Sequence, residues 1–220
     1  MNHFKGCYLD PEFLKFIDEE KVINIVELGA RDCKDTISLA LYYDKANVVS
    51  FECNPDTIEL CHNNLDRLSK PVRDRIHFFP YGAGSRKEHK KFHKFVYENN
   101  PGASSFYTRI YDQYKQRTTE NYLELVRVED IVVELELGNI DLVCADIQGY
   151  EIEALKGFGK YLTKIRYIIT EIPKDTSLYS GAPSREQMLG FFRNNGFEVV
   201  KTLYENLHEE NILFKNVARG

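Results

Sequence analysis

The 220-residue chain contains no uninterrupted apolar run of about 18 residues, the length a helix needs to cross a bilayer. Its first residues, MNHFKGCYLDPEF, lack the apolar stretch of a secretory signal, so a soluble cytoplasmic protein is the expectation. No CxxC pair occurs either. Five cysteines, Cys7, Cys33, Cys53, Cys61 and Cys144, are dispersed and odd in number; they form neither a zinc framework nor a disulfide scaffold, and fit reduced thiols. Positive charge is not in excess: a net charge of -5 disfavours broad binding to nucleic acid or to an anionic membrane. The local exception, SRKEHKKFHK (85–94), gathers five Lys/Arg and two His and reads as a solvated face. Internal repeats and low-complexity segments are absent.

The most informative scarcity is that of glycine in INIVELGARDCKDT (23–36). A strand running into a helix through a tight turn is where dinucleotides bind, but a pyrophosphate needs the several glycines of GxGxxG, and this turn has only Gly29. Glu27 and Asp32 flank it, and carboxylates there repel phosphate and attract a cation. S-adenosylmethionine has no phosphate, carries an ammonium and a sulfonium, and fits such a turn better than a nicotinamide dinucleotide does. Glu52 follows 23 residues after Gly29, at the end of the next strand, where a carboxylate accepts from ribose hydroxyls; its alternative use is as a partner for the helix beginning at Pro55.

What is present along the rest of the chain is an alternation of short β-branched runs and amphipathic segments. VINIVEL (22–28), NVVSFEC (47–53), RIHFFPY (75–81), IDLVCADI (140–147) and RYIITEI (166–172) read as strands, several apolar on both faces as in a helix-covered parallel sheet. Helical spacing runs through 35–44, 55–69 (capped by Asn54, with Pro55 in the first turn) and 150–165. A capped helix SREQMLGFFRNNG and an antiparallel strand pair close the chain, giving a doubly wound α/β fold. The length suits one domain over 1–220. Residues 84 to 130 break the rhythm with an irregular insert, ENNPGASSFYTRIYDQY within it, and inserts on α/β scaffolds often carry substrate contacts.

IVELGARDCKDT, VVSFECNP, PGASSF and above all IDLVCADIQGYEIEALKGFGKYLTKIRYIITEI resemble the FkbM family of S-adenosylmethionine-dependent methyltransferases. The most specific part is the Asp-x-x-Gly-x-Glu core at Asp146, Gly149 and Glu151, followed by Leu155, Lys156 and Gly157. The resemblance implies a Rossmann-like, seven-stranded class I methyltransferase fold and O-methylation of sugars or glycosylated products. One departure stands in the first turn, where the family more often has Gly-Ala-x-x-Gly and this chain has Cys33 in place of the second glycine. Cofactor-binding candidates are therefore Glu27, Gly29, Arg31, Asp32, Glu52, Cys53, Gly82, Ala83 and Asp146.

An acceptor hydroxyl is a poor nucleophile until a placed base takes its proton, which adds about 10²–10⁴-fold. Asp146, ending the fourth strand, is the candidate base, with a helix cap as its structural alternative, and Glu171, ending the fifth, lies beside it. Two such carboxylates either push their pKa values apart or hold a divalent metal, and the residues leave that choice open. His89 and His93 have zinc-like spacing but lie in a segment that alternates like a strand. The insert offers Phe106, Tyr107, Tyr111 and Tyr114 around Arg109, and Ser104, Ser105, Tyr107, Arg109 and Tyr111 are the acceptor candidates, since sugar rings pack on aromatic faces. A methyltransferase for RNA or protein, a nicotinamide oxidoreductase, and a binding module without catalysis are the competing readings.

Overall fold

The computed structural model describes residues 7–95, 101–110, 118–174 and 178–219. In chain order its elements are α1 (Pro11–Leu14), β1 (Asn24–Leu28), α2 (Lys34–Tyr42), β2 (Asn47–Phe51), α3 (Pro55–Leu65), α4 (Lys70–Arg73), β3 (Ile76–Phe79), β4 (Gly82–Ala83), β5 (Glu88–Phe95), β6 (Thr108–Arg109), β7 (Thr118–Val126), α5 (Val128–Glu134), β8 (Ile140–Ala145), α6 (Glu151–Lys156), β9 (Ile165–Pro173), β10 (Tyr179–Ser180), α7 (Arg185–Asn194), β11 (Phe197–Tyr204) and β12 (Glu209–Asn216).

A seven-stranded sheet in the order β11-β12-β9-β8-β1-β2-β3 organises the molecule. β3, β2, β1, β8 and β9 run parallel, while β12 pairs antiparallel with both β9 and β11. The expected seven-stranded arrangement with its closing hairpin is thus the observed one. Every residue of β1 and of β8 is buried, because both faces of these strands are covered. The period of two divides them cleanly. Val26, Leu28, Val143 and Ala145 face a core closed by α5, α6 and α7, whereas Ile25, Leu142 and Cys144 face a second core closed by α1, α2 and α3. Successive strands spread one way from β1 to β3 and the other way from β8 onward, so the carboxyl ends of β1 and β8 flank the point where the order reverses.

Two segments differ from the sequence expectation. The helix anticipated over 150–165 ends at Lys156 and continues as a 3-10 turn over Gly159–Lys164, because Gly159 takes a positive φ of 52° that breaks the α-helical path. The insert is not irregular where it is described: β7 pairs antiparallel with β5 over the whole of β5, β4 joins β7, and β6 pairs with β10. Its two long strands are distant in sequence, which hides their pairing from local pattern. Among the described residues no helix is long and apolar enough to cross a membrane.

Candidate active site

The turn after β1 is built on one glycine and two strained residues. Gly29 has φ +90°, and a Cβ there would sit 2.2 Å from the Asp146 carbonyl oxygen, so the residue is demanded by backbone-to-backbone packing against the loop after β8. Gly29 and Ala30 both donate their N–H to the Phe51 carbonyl at 2.9 Å, which ties the turn to the end of β2. Arg31 (φ 51°) and Cys33 (φ 60°) follow in the left-handed region, at roughly 1–2 kcal/mol each. Cys33 occupies the position of the second glycine. Its side chain is fully buried in the core beneath α2, and the Cys61 thiol donates to the Arg31 carbonyl at 3.2 Å, contacts that offset the strain.

A cavity of about 320 Å³ opens at the carboxyl ends of β1, β2, β8 and β9. Of the cofactor candidates, Gly29, Arg31, Glu52, Cys53, Gly82, Ala83 and Asp146 line it. Glu27 does not. Strand alternation turns Glu27 under α2, where it is fully buried, accepts from the Thr36 hydroxyl, and is pushed well above the usual carboxylate range by burial. Asp32 also lies outside the lining and pairs with Lys34 at 2.6 Å, while Asp35, one helical turn on, faces the cavity with its pKa raised by burial.

Glu52 presents an oriented carboxylate. One oxygen accepts from the Arg31 N–H at 2.7 Å and the other from the Asn54 N–H at 2.7 Å, and each keeps lone-pair capacity toward the cavity. Burial raises its pKa in spite of these bonds. Asn54 caps α3 as expected, accepting from the Asp56 N–H at 3.2 Å. Glu52 therefore both lines the cavity and helps seat the start of α3.

Asp146 and Glu171 both line the cavity at the ends of β8 and β9. Burial raises Asp146, and burial together with the Asp146 charge pushes Glu171 up to about 10. The next helix begins at Glu151 with Tyr150 at its cap position, and the loop N–H groups after Asp146 are taken by Glu151, whose carboxylate accepts from Ile147 N at 3.1 Å and Gly149 N at 3.2 Å. Asp146 is left to face the cavity. Its Oδ1 accepts from the Gln148 side-chain amide at 2.7 Å, and the same Nε2 lies 3.2 Å from Glu171 Oε2. Gln148, Tyr179 and Glu209 are not among the sequence candidates, and no local pattern marks them, since the sheet brings them together from three separate connections. Among the described residues, no three His, Cys, Asp or Glu side chains converge as a metal site.

The insert forms the outer wall. Ser104 and Arg109 line the cavity, with Phe92, Phe106 and Tyr150 supplying the aromatic surface. The Phe106 ring packs 5.0 Å from Phe92 and 4.9 Å from Tyr150, centroid to centroid. Ser104 and Ser105 are buried anchors: Ser104 Oγ accepts from Phe95 N at 3.0 Å, and Ser105 Oγ donates to the Gln148 carbonyl at 2.8 Å. Tyr107 packs at a tilt against Tyr150 outside the lining, and Arg109 sits over the Phe95 ring. Tyr111 and Tyr114 lie outside the described residues. The basic run becomes β5 and its flank, with Arg86, Lys87, Lys91 and Lys94 ion-paired to Glu88, Glu124, Glu120 and Asp56. His89 is exposed on that strand, and His93 Nε2 lies 3.3 Å from Thr108 Oγ1.

Chemically, the cavity brings together a hydrogen-bonding carboxylate, the Asp146–Glu171 carboxyl pair and an aromatic wall. The family model of the methyltransferase FkbM domain matches residues 27–199. The chain is 28% identical over 168 residues to the 2-O-methyltransferase NoeI of Sinorhizobium fredii, covering 71% of this chain and 65% of that protein. It is 28% identical over 163 residues to the hexuronic acid methyltransferase AglP of Haloferax volcanii, covering 70% and 62%. The matches thus span a little under two thirds of these relatives. Among solved structures, a methyltransferase FkbM from Methylobacillus flagellatus is similar in fold, with a TM-score of 0.59 at 14% identity over 88% of this chain and 43% of the other. The Methanococcus jannaschii fibrillarin pre-rRNA processing protein gives 0.52 at 14% identity over 88% and 66%.

Proposed function

This chain belongs to the FkbM methyltransferase family, and from that premise we propose that it is an S-adenosylmethionine-dependent O-methyltransferase whose acceptor is a sugar hydroxyl of a glycan or glycosylated product. The observation that carries the reading is a single cavity lined by Glu52 and the Gly29 turn and by the Asp146–Glu171 pair. One curated relative is named an O-methyltransferase, and the name of the other, a hexuronic acid methyltransferase, points to carbohydrate as the acceptor class.

The residues present suit this cofactor. A half-buried carboxylate whose two oxygens are pinned by backbone N–H groups is poised to accept from vicinal ribose hydroxyls. The turn offers no multi-glycine phosphate cradle, and Asp35, Glu52, Asp146, Glu171 and Glu209 make the lining acidic, which favours a cation over a pyrophosphate. Glu52, the backbone from Gly29 to Arg31 and Asp35 would hold it. When bound, the cofactor supplies a methyl group on a positively charged sulfur.

The chain's own task is to place the acceptor and take its proton. Holding two reactants in near-attack geometry is worth roughly 7–11 kcal/mol. The Phe106, Phe92 and Tyr150 wall positions the acceptor ring, and its closed aromatic packing keeps water from that side. At neutral pH the Asp146–Glu171 pair holds one proton, because burial and mutual repulsion prevent both from ionising. Asp146 in its ionised form accepts the hydroxyl proton at a carboxylate oxygen.

Calorimetric titration with S-adenosylhomocysteine, followed by mass spectrometry of reactions on a panel of hydroxyl-bearing glycans, tests this reading. The expected result is a clear binding heat and a mass gain of about 14 Da on at least one glycan, with methyl transfer lowered about 10²-fold in Asp146→Asn. Tighter binding of NAD than of S-adenosylhomocysteine, or transfer to RNA alone, would overturn it.

A further inference from the structure

One side chain in the cavity has no part in the reaction as described, yet it touches both carboxyls. Gln148 Nε2 lies 2.7 Å from Asp146 Oδ1 and 3.2 Å from Glu171 Oε2, so a single amide offers its donors to both. Its other end is equally engaged: Gln148 Oε1 accepts from the Tyr179 hydroxyl at 2.6 Å. That hydroxyl also lies 3.0 Å from the Ala103 carbonyl, in the insert. A flipped amide would set its carbonyl oxygen against two carboxyls, so the carboxyl pair fixes which way the amide points, and the Tyr179 hydroxyl holds its other end.

The backbone of the same residue is fastened to the insert as well. Gln148 has φ +55°, a left-handed conformation that a non-glycine residue holds only when its surroundings impose it. Ser105 Oγ donates to its carbonyl at 2.8 Å and accepts from Tyr107 N at 3.0 Å, while Ser105 exchanges backbone hydrogen bonds with His93 of β5. Glu151 holds the flanking Ile147 and Gly149 N–H groups from the other side.

We propose that Gln148 is a positioning residue for methyl transfer, its amide orienting Asp146 and Glu171 while Tyr179 and Ser105 lock it to the insert, so that acceptor wall and base form one rigid unit. The proposal rests on the reading of Asp146 as the base. Its physical content is a shared donor between two like-charged groups. Asp146 otherwise faces Arg31 and Glu205, and Glu171 faces Glu151, Glu205 and Glu209, so among these charged neighbours only Arg31 favours the ionised pair.

The test uses the full chain with carboxyl carbons labelled in Asp and Glu, in wild type, Gln148→Leu and Tyr179→Phe. Asp146→Asn and Glu171→Gln assign the two signals. Carboxyl carbon shifts are followed by NMR against pH without cofactor, and kcat and KM are measured from about pH 6 to about 9, which spans the region where general-base titration shows in the rate. In Gln148→Leu the Asp146 signal should titrate about one pH unit higher, the scale of one hydrogen bond to a charged group. The acid limb of kcat should move by the same amount, and kcat should fall about tenfold or more while KM for S-adenosylmethionine stays within about twofold. Tyr179→Phe, which keeps the amide but removes the hydrogen bond that holds its other end, should shift both in the same direction by less, and it decides the matter if Gln148→Leu does not fold. An Asp146 titration unchanged in the folded variants overturns the proposal. Wild-type turnover in Asp146→Asn overturns instead the assignment of the base, a failure that the titration separates from this one.

Discussion

Glu151 anchors the loop that carries Asp146 and Gln148, and its replacement by glutamine should make the protein more stable at alkaline pH. The carboxyl is buried, and burial pushes its pKa from 4.5 to about 7 even though the Ile147 and Gly149 N–H groups favour the charged form. A carboxyl with a raised folded pKa contributes stability that is full below its unfolded pKa and is lost as pH rises through the folded one. The window is therefore from about pH 4.5 to about 7. At about 1.36 kcal/mol per pH unit, the loss amounts to roughly 3 kcal/mol above about pH 8. The glutamine side chain of the Glu151→Gln variant would keep a carbonyl oxygen to accept the same two N–H groups without ever ionising. Urea unfolding of wild type and variant at four pH values, from about 5 to about 8, isolates this group, because the other titrating carboxyls largely cancel in the difference. The variant should match the wild type within about 1 kcal/mol at about pH 5 and exceed it by about 3 kcal/mol at about pH 8. Parallel stability curves, or a variant less stable at the alkaline end, would show that the ionised carboxylate is the form the loop holds.

Gly29→Ala should abolish S-adenosylhomocysteine binding and lower the midpoint of urea unfolding, since its Cβ meets the Asp146 carbonyl at 2.2 Å and φ is +90°; calorimetry showing wild-type affinity would contradict the packing argument. Glu52→Ala removes a carboxylate worth about 1.5–3 kcal/mol in hydrogen bonds and should weaken the same ligand roughly 10- to 100-fold. Undiminished affinity would take Glu52 out of the cofactor site. Phe106→Ala opens the acceptor wall, so kcat/KM for the glycan should fall while cofactor affinity holds, and a change in cofactor affinity alone would assign this ring to the cofactor instead. Charge reversal at Lys91, already paired with Glu120, should leave glycan methylation and its salt dependence unchanged, as a steady-state assay at two ionic strengths would reveal.

The doubly wound architecture and the strand ends are legible in the sequence because each is a local pattern: β1 and β8 are largely apolar and buried throughout, α3 carries its Asn54 cap and Pro55, and the family resemblance runs through Asp146, Gly149 and Glu151. Glu52 is legible for the same reason, since the end of a buried strand in a parallel sheet has a known destination. Side-chain direction within the turn is harder to read. Glu27 has the sequence position of a cavity residue, but the period of two sends it beneath α2, and Asp35 rather than Asp32 reaches the lining. The left-handed turn at Cys33 depends on a side chain buried against α3 on a distant part of the chain, which no composition of the turn itself announces. Most of all, Gln148 and Tyr179 acquire meaning only where β8, β9 and the insert converge, because a bridge among an amide, two carboxyls and a hydroxyl is fixed by distances in space, and residues 31 apart in sequence carry no local trace of meeting at 2.6 Å.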